Sequence, residues 1–353
     1  MIALTIRPGE ARSTGLEQVA EPRPGSGEVL LRTLRVGVCG TDREMHEGHF
    51  GEAPEGSERL VLGHEMLARV ERDGHGFERG DLVAATVRRS CGHCDACAAG
   101  APDACMTGDY RERGITRLHG FAAELVAEAP EHLVRIPPEL GTLAVLAEPA
   151  SICARGIRHA RAIGDRQPWK PSRALVLGTG AIGMLAAYLL RLDGFDVWAV
   201  GRSESGSPKA ELAEASGARY VATGDTPPAE VAADVGGFDV VVEATGDAEV
   251  MTGTLGLLGR GGVACLLGID GRPRQVTLDG TVIGVDAILQ NRSLFGSVNA
   301  NRVDWLAAVG QLERARRRWP EALTAFVGLS VEPDRFEEAF GFGGVKATLD
   351  FSG

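Results

Sequence analysis

The chain has 353 residues, enough for two domains that each bury a core of their own. Hydrophobic residues make up 44% and charged residues 24%, the balance of a water-soluble globular protein, and a formal charge of −11 argues against a nucleic-acid partner. No uninterrupted apolar run reaches membrane-spanning length and the opening "MIALTIRPGE" lacks the apolar core of a signal peptide, so the expectation is a cytoplasmic protein with no membrane partner.

The N-terminal part, up to residue 150, is strand-like and rich in turns. "GEVLLRTLRVGVCG" and "FERGDLVAATV" read as β-strands introduced by charge and glycine, and Cys39 follows the first of them directly. His64 and Glu65 come next, in "LVLGHEMLARV". Within 88–108 lie Cys91, Cys94, Cys97 and Cys105, at C-x2-C-x2-C-x7-C spacing. Glu148 stands in "VLAEPASIC", and "GDRQPWKPSR" reads as the loop that leads into a second region. From 174 onward apolar strands alternate with helical stretches: "ALVLG", "VWAVG", "RYVAT", "DVVVEATG", "GVACLLG" and "SLFGSVN", with "AIGMLAAYLLRLDG" among the helices. That alternation predicts an α/β fold with a doubly wound, six-stranded parallel sheet covered on both faces. The tail from 300 gives an amphipathic helix, "RVDWLAAVGQLERARRRW", and a final strand, "KATLDF"; the run "ERARRR" reads as a solvated helix face.

Gly178-Thr179-Gly180-Ala181-Ile182-Gly183 follows a strand and opens a helix, the arrangement that brings backbone and helix N-terminus up to a pyrophosphate. Thr245 and Gly246, at the end of the fourth strand, are expected beside the same cofactor. The second strand ends in Gly201-Arg202-Ser203-Glu204 and not in an acid for the ribose hydroxyls of NAD. A guanidinium and a hydroxyl suit a 2′-phosphate, which favours NADP. NAD remains open, with Arg202 solvated and Glu204 taking the ribose.

The four clustered cysteines form a closed sulfur set suited to structural zinc; an iron–sulfur cluster is the rival, and nothing else in the chain points to electron transfer. Cys39, His64, Glu65 and Glu148 offer one thiolate, one imidazole and carboxylates, which leaves a position for water or substrate as catalytic zinc requires.

Taken together and in this order, "GHE", the four-cysteine lobe, "AEP" and "GTGAIG" make the chain resemble the zinc-dependent medium-chain dehydrogenases over its whole length. "LRTLRVGVCGTDREMHEG", "YRERGITRLHGF", "HLVRIPPE", "VWAVGR" and "SLFGSVN" are similar to the archaeal-type glucose 1-dehydrogenases. The resemblance implies a GroES-like catalytic domain, residues 1–152 with 300–353, and an inserted Rossmann domain, residues 153–299, with the active site in the cleft. It implies Cys39 and His64 as zinc ligands, Glu148 as a third ligand or substrate contact, and Glu65 as a ligand that exchanges with water. Thr41 would relay the substrate proton, Glu112 and Asn299 would bond sugar hydroxyls, and Arg202 with Ser203 would grip the 2′-phosphate. Asn299 is also expected to border the cofactor. For Glu112 a solvated loop carboxylate stays open, since Arg111 and Arg113 flank it. Two departures stand out: Arg43 occupies the position of a relay histidine, with His46 three residues on, and Ser203 replaces a second basic residue. The implied activity is oxidation of an aldose at C1 to an aldonolactone. A polyol, cyclitol or amino-alcohol substrate is the alternative, a non-catalytic dinucleotide-binding protein the remoter one, and a homodimer or homotetramer the implied assembly.

Overall fold

A computed structural model describes residues 1–269 and 275–353. The chain divides into two compact units, one formed by Met1–Ser151, Asn299–Glu313 and Val327–Gly353, the other by Ile152–Val298 and Arg314–Phe326.

The first unit is built on a seven-stranded sheet. Its path runs Leu133–Arg135, Leu82–Ala85, Glu65–Val70, Val29–Val38, Lys346–Asp350, Val327–Val331, and Leu125–Glu128 pairs with Val29–Val38 off that path. The long central strand Val29–Val38 alternates buried and half-buried residues before becoming wholly buried at its end. Leu31, Val36, Met66, Val83, Phe121 and Leu349 pack in the core beneath it. Each such side chain contributes about 1.5–3 kcal/mol by leaving water. Register then decides the chemistry. Glu65 lies opposite Gly37 on one side of the central strand, and Ala347 lies opposite Val38 on the other. Glu65 and Lys346 are thereby brought to the end of the strand from which Cys39 emerges.

A smaller sheet in this unit joins Arg88–Arg89, Arg111–Arg113 and Arg117–Leu118. The run expected as one strand, "FERGDLVAATV", is a strand only over Leu82–Ala85, and pairing resumes in the smaller sheet at Arg88. Thr86, the residue where the first strand stops, gives its N–H to the His132 carbonyl.

The second unit holds a six-stranded parallel sheet ordered Arg219–Ala222, Asp196–Gly201, Arg173–Leu177, Phe238–Glu243, Leu258–Leu266, Ser293–Gly296. The order reverses between the third and fourth of these strands, where doubly wound sheets bind ligands. The strand expected to start at Gly262 starts four residues earlier, at Leu258, and that expected to run to Asn299 ends at Gly296. Arg314–Phe326, expected with the catalytic domain, clusters with this second unit. Tyr188 explains it: its ring meets Trp319 and Phe326 edge-on, at 5.2 and 4.9 Å between centroids.

Helix Ala147–Gly164 continues from the 3-10 segment Pro138–Leu146, and together they are long and apolar enough to cross a membrane by length and composition. The 3-10 segment is itself interrupted at Gly141, which is not helical, and 83% of the apolar window is buried inside the protein, as in a core helix.

Candidate active site and metal centres

Cys39 caps helix Gly40–His46. Its Sγ accepts the Thr41 N–H at 3.2 Å, and its own N–H is held by the Asp42 carboxylate at 2.9 Å. These two bonds fix the thiol where the central strand ends. His64 Nε2 lies 3.2 Å from Cys39 Sγ, and the ligand atoms of Cys39, His64 and Glu65 all fall within 4.8 Å of one another. Gly37 makes room for this, because a Cβ there would collide with the Glu65 carboxylate.

The charges are buried and unevenly matched. Lys346, 1% exposed, donates to both Glu65 oxygens at 2.7 and 2.6 Å and to the Val38 carbonyl at 3.2 Å. Against this one fixed cation stand Cys39, Asp42, Glu65 and Glu148. Burial works against a charged His64, but the Cys39 and Asp42 charges outweigh it and hold the imidazole well above 6.5. Burial pushes the Glu148 carboxyl up to about 7; Glu65 and Asp42 add to this, while His64 and Lys346 oppose it. His64 Nδ1 and Asp42 Oδ1, 3.8 Å apart, are both buried without a hydrogen-bond partner. A site that draws a proton so strongly onto imidazole also attracts a cation. With Nε2 toward the thiol and Nδ1 toward a carboxylate, His64 has the orientation of a metal-ligating histidine. The set therefore fits zinc. Glu148, expected as a third ligand, is not among the atoms of the 4.8 Å cluster; it begins helix Ala147–Gly164 and is 9% exposed.

The expected relay positions have other partners. The Arg43 guanidinium donates to the Phe342 carbonyl at 3.0 Å. His46 Nδ1 pairs with Thr14 Oγ1 at 2.8 Å, and its ring lies edge-on to Phe340.

The four clustered cysteines differ from this site in kind. Their sulfurs also lie within 4.8 Å of one another, all seven cysteines of the chain are free, and Cys91, Cys97 and Cys105 are partly exposed. Backbone hydrogen bonding at His93, foremost, and the Thr107 hydroxyl pull the Cys91 thiol down to about 5. A thiolate set of this size fits tetrahedral zinc and leaves no position for a reactant.

Glu112 lies on the strand that leaves the cysteine segment and is 8% exposed, not a solvated loop carboxylate. Asn299 Nδ2 donates to its Oε1 at 2.8 Å, so the two residues expected to share a sugar are already bonded to each other.

In the second unit Gly178 takes φ +101 and Gly180 caps helix Ala181–Leu192. A Cβ at Gly183 would strike the Gly178 carbonyl oxygen, so only glycine permits this approach of helix to turn. Thr179 is buried, whereas Ala181 and Ile182, in the first turn of the helix, are half-buried. Gly201 ends the neighbouring strand, Arg202 is exposed, and the Ser203 carbonyl accepts the Tyr220 hydroxyl at 2.6 Å. Across the reversal point, Thr245 bonds the buried Glu243 carboxylate through both its N–H and its hydroxyl, next to Gly246. This cradle, open where side chains would fill it, fits a dinucleotide.

The sequence had not marked Asp42, Lys346 or Arg88. Asp42 sits in the N-cap pattern three residues after Cys39, a signal that was available. Lys346 has none, since its partner is 281 residues away.

Residues 141–351 match the family model for the glucose dehydrogenase C-terminus, and residues 25–138 match that for the alcohol dehydrogenase GroES-like domain. The chain is 43% identical to a glucose 1-dehydrogenase of Methanocella arvoryzae over 96% of this chain and 95% of that one. It is 40% identical to one of Thermoproteus tenax, over 96% of each. Among solved structures, Haloferax mediterranei glucose dehydrogenase in complex with NADP, Zn and gluconolactone matches with a TM-score of 0.93 and 34% identity, over 100% of both chains. With a GroES-like unit, a Rossmann sheet and these relatives, the chain belongs to the glucose dehydrogenase family of the zinc-dependent medium-chain dehydrogenases.

Proposed function

We propose that this protein is a glucose 1-dehydrogenase that oxidises a glucose-like aldose at C1 to the aldonolactone with NADP. The observation that carries the substrate class is Glu112. A buried carboxylate bonded to Asn299 and Arg88 through one oxygen keeps the other for a hydroxyl donor. That arrangement suits a polyhydroxylated ring and would be unfavourable in a pocket for an apolar alcohol. The name of the Haloferax complex, with its NADP, zinc and gluconolactone, points the same way.

Cys39 and His64 would hold the catalytic zinc, with Glu148 as third donor and Glu65 as the exchangeable one, and Cys91, Cys94, Cys97 and Cys105 would hold a structural zinc. When bound, zinc supplies Lewis acidity and NADP a hydride acceptor. The protein's own part is to orient the sugar and move its proton. Thr41, tied through its N–H to Cys39 Sγ, would relay the proton of the anomeric hydroxyl, its Oγ accepting that proton as its own hydroxyl proton passes on to water. Glu112 and Asn299 would hold the ring through its hydroxyls and so fix the orientation of C1, on which hydride transfer depends. Lys346 holds both oxygens of the Glu65 carboxylate. The turn at Gly178–Gly183 would receive the pyrophosphate, Thr245, Gly246 and Asn299 would be further cofactor contacts, and Arg202 with Ser203 would receive the 2′-phosphate. NADP is preferred and NAD is accepted as well, since Ser203 brings no second charge to the 2′-phosphate.

The enzyme works in the cytoplasm, where free thiols persist. It assembles as a homodimer or homotetramer, which exposed Ile288, Leu289 and Val298 near the edge strand Ser293–Gly296 support.

Initial rates on D-glucose, D-galactose, D-xylose, sorbitol and L-threonine, each with NADP and NAD, test this reading alongside zinc counted per chain. Fast aldose turnover with NADP and two zinc ions is the expected result. Turnover of sorbitol or threonine alone would replace the substrate, and NADPH binding without any turnover would replace the enzyme by a binding protein.

A further inference from the structure

The four-cysteine segment is the loop of a hairpin. Strand Arg88–Arg89 leads into it and strand Arg111–Arg113 leads out, paired antiparallel with Arg88 directly opposite Glu112. The two charges, 6% and 8% exposed, are shut away from water. Arg88 makes three contacts. Its Nε donates to Glu112 Oε1 at 2.9 Å, its Nη1 donates to the backbone carbonyl of Asp103 at 3.0 Å, and its guanidinium lies 3.7 Å over the centre of the Tyr110 ring. Asp103 and Tyr110 bracket Cys105. One rigid plane therefore touches the cysteine segment, its exit and the carboxylate together.

Both donors to Glu112, Arg88 and Asn299, land on Oε1. Among the described residues no side-chain donor reaches Oε2. Asn299 is itself fixed, because its Oδ1 accepts the Ala300 N–H at 2.8 Å. Arg113, the next residue on the strand, is anchored to Glu128 at 2.9 Å and to the His119 and Ala127 carbonyls.

We propose that Arg88 is a positioning residue: it transmits the fold of the four-cysteine segment to Glu112 and fixes which carboxylate oxygen is presented to the sugar. The cysteine lobe then contributes to substrate affinity and does more than brace the fold. Arginine is needed because a lysine ammonium has no planar fork to meet a carboxylate and a carbonyl while stacking on a ring. The inference rests on Glu112 being a sugar contact.

The test compares the zinc-loaded native enzyme with Arg88→Lys, Glu112→Gln, the double variant and Tyr110→Leu. It reads KM for D-glucose, kcat, NADPH affinity by fluorescence, and zinc per chain. Arg88→Lys keeps the charge beside Glu112 and is expected to raise the sugar KM about tenfold. The change in kcat stays within about threefold, and NADPH affinity and zinc content stay as they were. In the Glu112→Gln background the same substitution adds less than about twofold, since Arg88 acts through that carboxylate. Tyr110→Leu, at a half-buried residue, shifts KM the same way by about threefold.

Equal Arg88→Lys effects in both backgrounds, or an equal loss of NADPH affinity, would overturn the proposal and leave a merely structural arginine. Should Arg88→Lys fail to fold, an unchanged sugar KM in Tyr110→Leu overturns it as well. Glu112→Gln without effect on the sugar KM would remove the reading of Glu112 and the proposal together. A rise in Glu112→Gln with additive Arg88 effects removes the proposal alone.

Discussion

The first unit contains two thiol-bearing regions, and they solve opposite electrostatic problems. Around Cys39 the buried acidic side chains outnumber the basic ones, with Lys346 and His64 facing Asp42, Glu65 and Glu148. At the base of the four-cysteine lobe the balance is reversed, since the Arg89 and Arg113 guanidiniums share one carboxylate, Glu128. Three of the lobe's cysteines are partly exposed, and Cys94 is buried. A buried region short of positive charge gains from a divalent cation and is sensitive to every neighbour. A partly exposed sulfur cage on a charge-satisfied base needs only its metal. The first is suited to reaction, the second to holding a hairpin closed.

Substitution of one cysteine in each region breaks the comparison most directly. Cys39→Ala is expected to lower kcat/KM by about 10⁴-fold, because the role proposed for Cys39, a ligand of the Lewis acid, is worth several kcal/mol of barrier. Thermal unfolding should shift little. Cys105→Ser should do the reverse: zinc per chain falls by one, the unfolding midpoint drops, and kcat stays within about threefold of the parent. Metal analysis, calorimetry and initial rates on both variants decide it. If Cys39→Ala lost its fold and Cys105→Ser its turnover, the roles would be exchanged.

Lys346 sharpens the comparison next. Removing it leaves Glu65 as an uncompensated charge in a site 1% exposed, which costs about 3–5 kcal/mol of stability. Lys346→Met should therefore move the denaturant midpoint strongly. Adding Glu65→Gln should recover most of that loss, because both charges are then gone. A double variant no more stable than the single one would show that Lys346 stabilises through packing and not through Glu65.

How far each region was legible in the sequence follows from how local its contacts are. The four inner strands of the parallel sheet were readable because strands buried on both faces are continuous apolar runs, and the two partly exposed edge strands followed from the alternation with helices. The four cysteines announced themselves within fifteen residues. The closing bond of the Cys39 region did not, since Glu65 and Lys346 meet only through the register of three strands. Lys346 sits in a strand buried on both sides and so gave no alternation to mark it as inward-facing. Neither Val327–Val331 nor Ile2–Ile6 stood out in the sequence: the first is short and half-exposed, with Gly328 and Ser330 between its apolar residues, and the second is too short a run at the chain's start to show a period. Glu112 looked like a loop residue because two arginines flank it; cross-strand pairing with Arg88 is what buries it. Tail residues 314–326 followed Tyr188 into the second unit through ring contacts that no periodicity reports.

The smallest effect belongs to the base of the lobe and depends on pH. Burial opposes the charge on Glu128, but Arg89 and Arg113 outweigh it, with help from His132, and hold its carboxyl below 4.5. Arg89 shifts down as well, to about 10, since burial and a neighbouring guanidinium work against it. The two directions agree once two cations share one anion. A carboxyl whose folded pKa lies below its unfolded value stabilises the protein at every pH above the unfolded value. That stability is lost as pH falls through the folded value. Glu128→Gln is therefore expected to lose about 2 kcal/mol near neutrality, the scale of hydrogen bonds to a charged group. The gap to the parent should close as the medium is taken from pH 4.5 downward. Denaturant curves at stepped pH measure it. A gap that persists in acid would mean that Glu128 holds the arginines by shape and not by charge, and the lobe would then rest on packing as the Cys39 region does not.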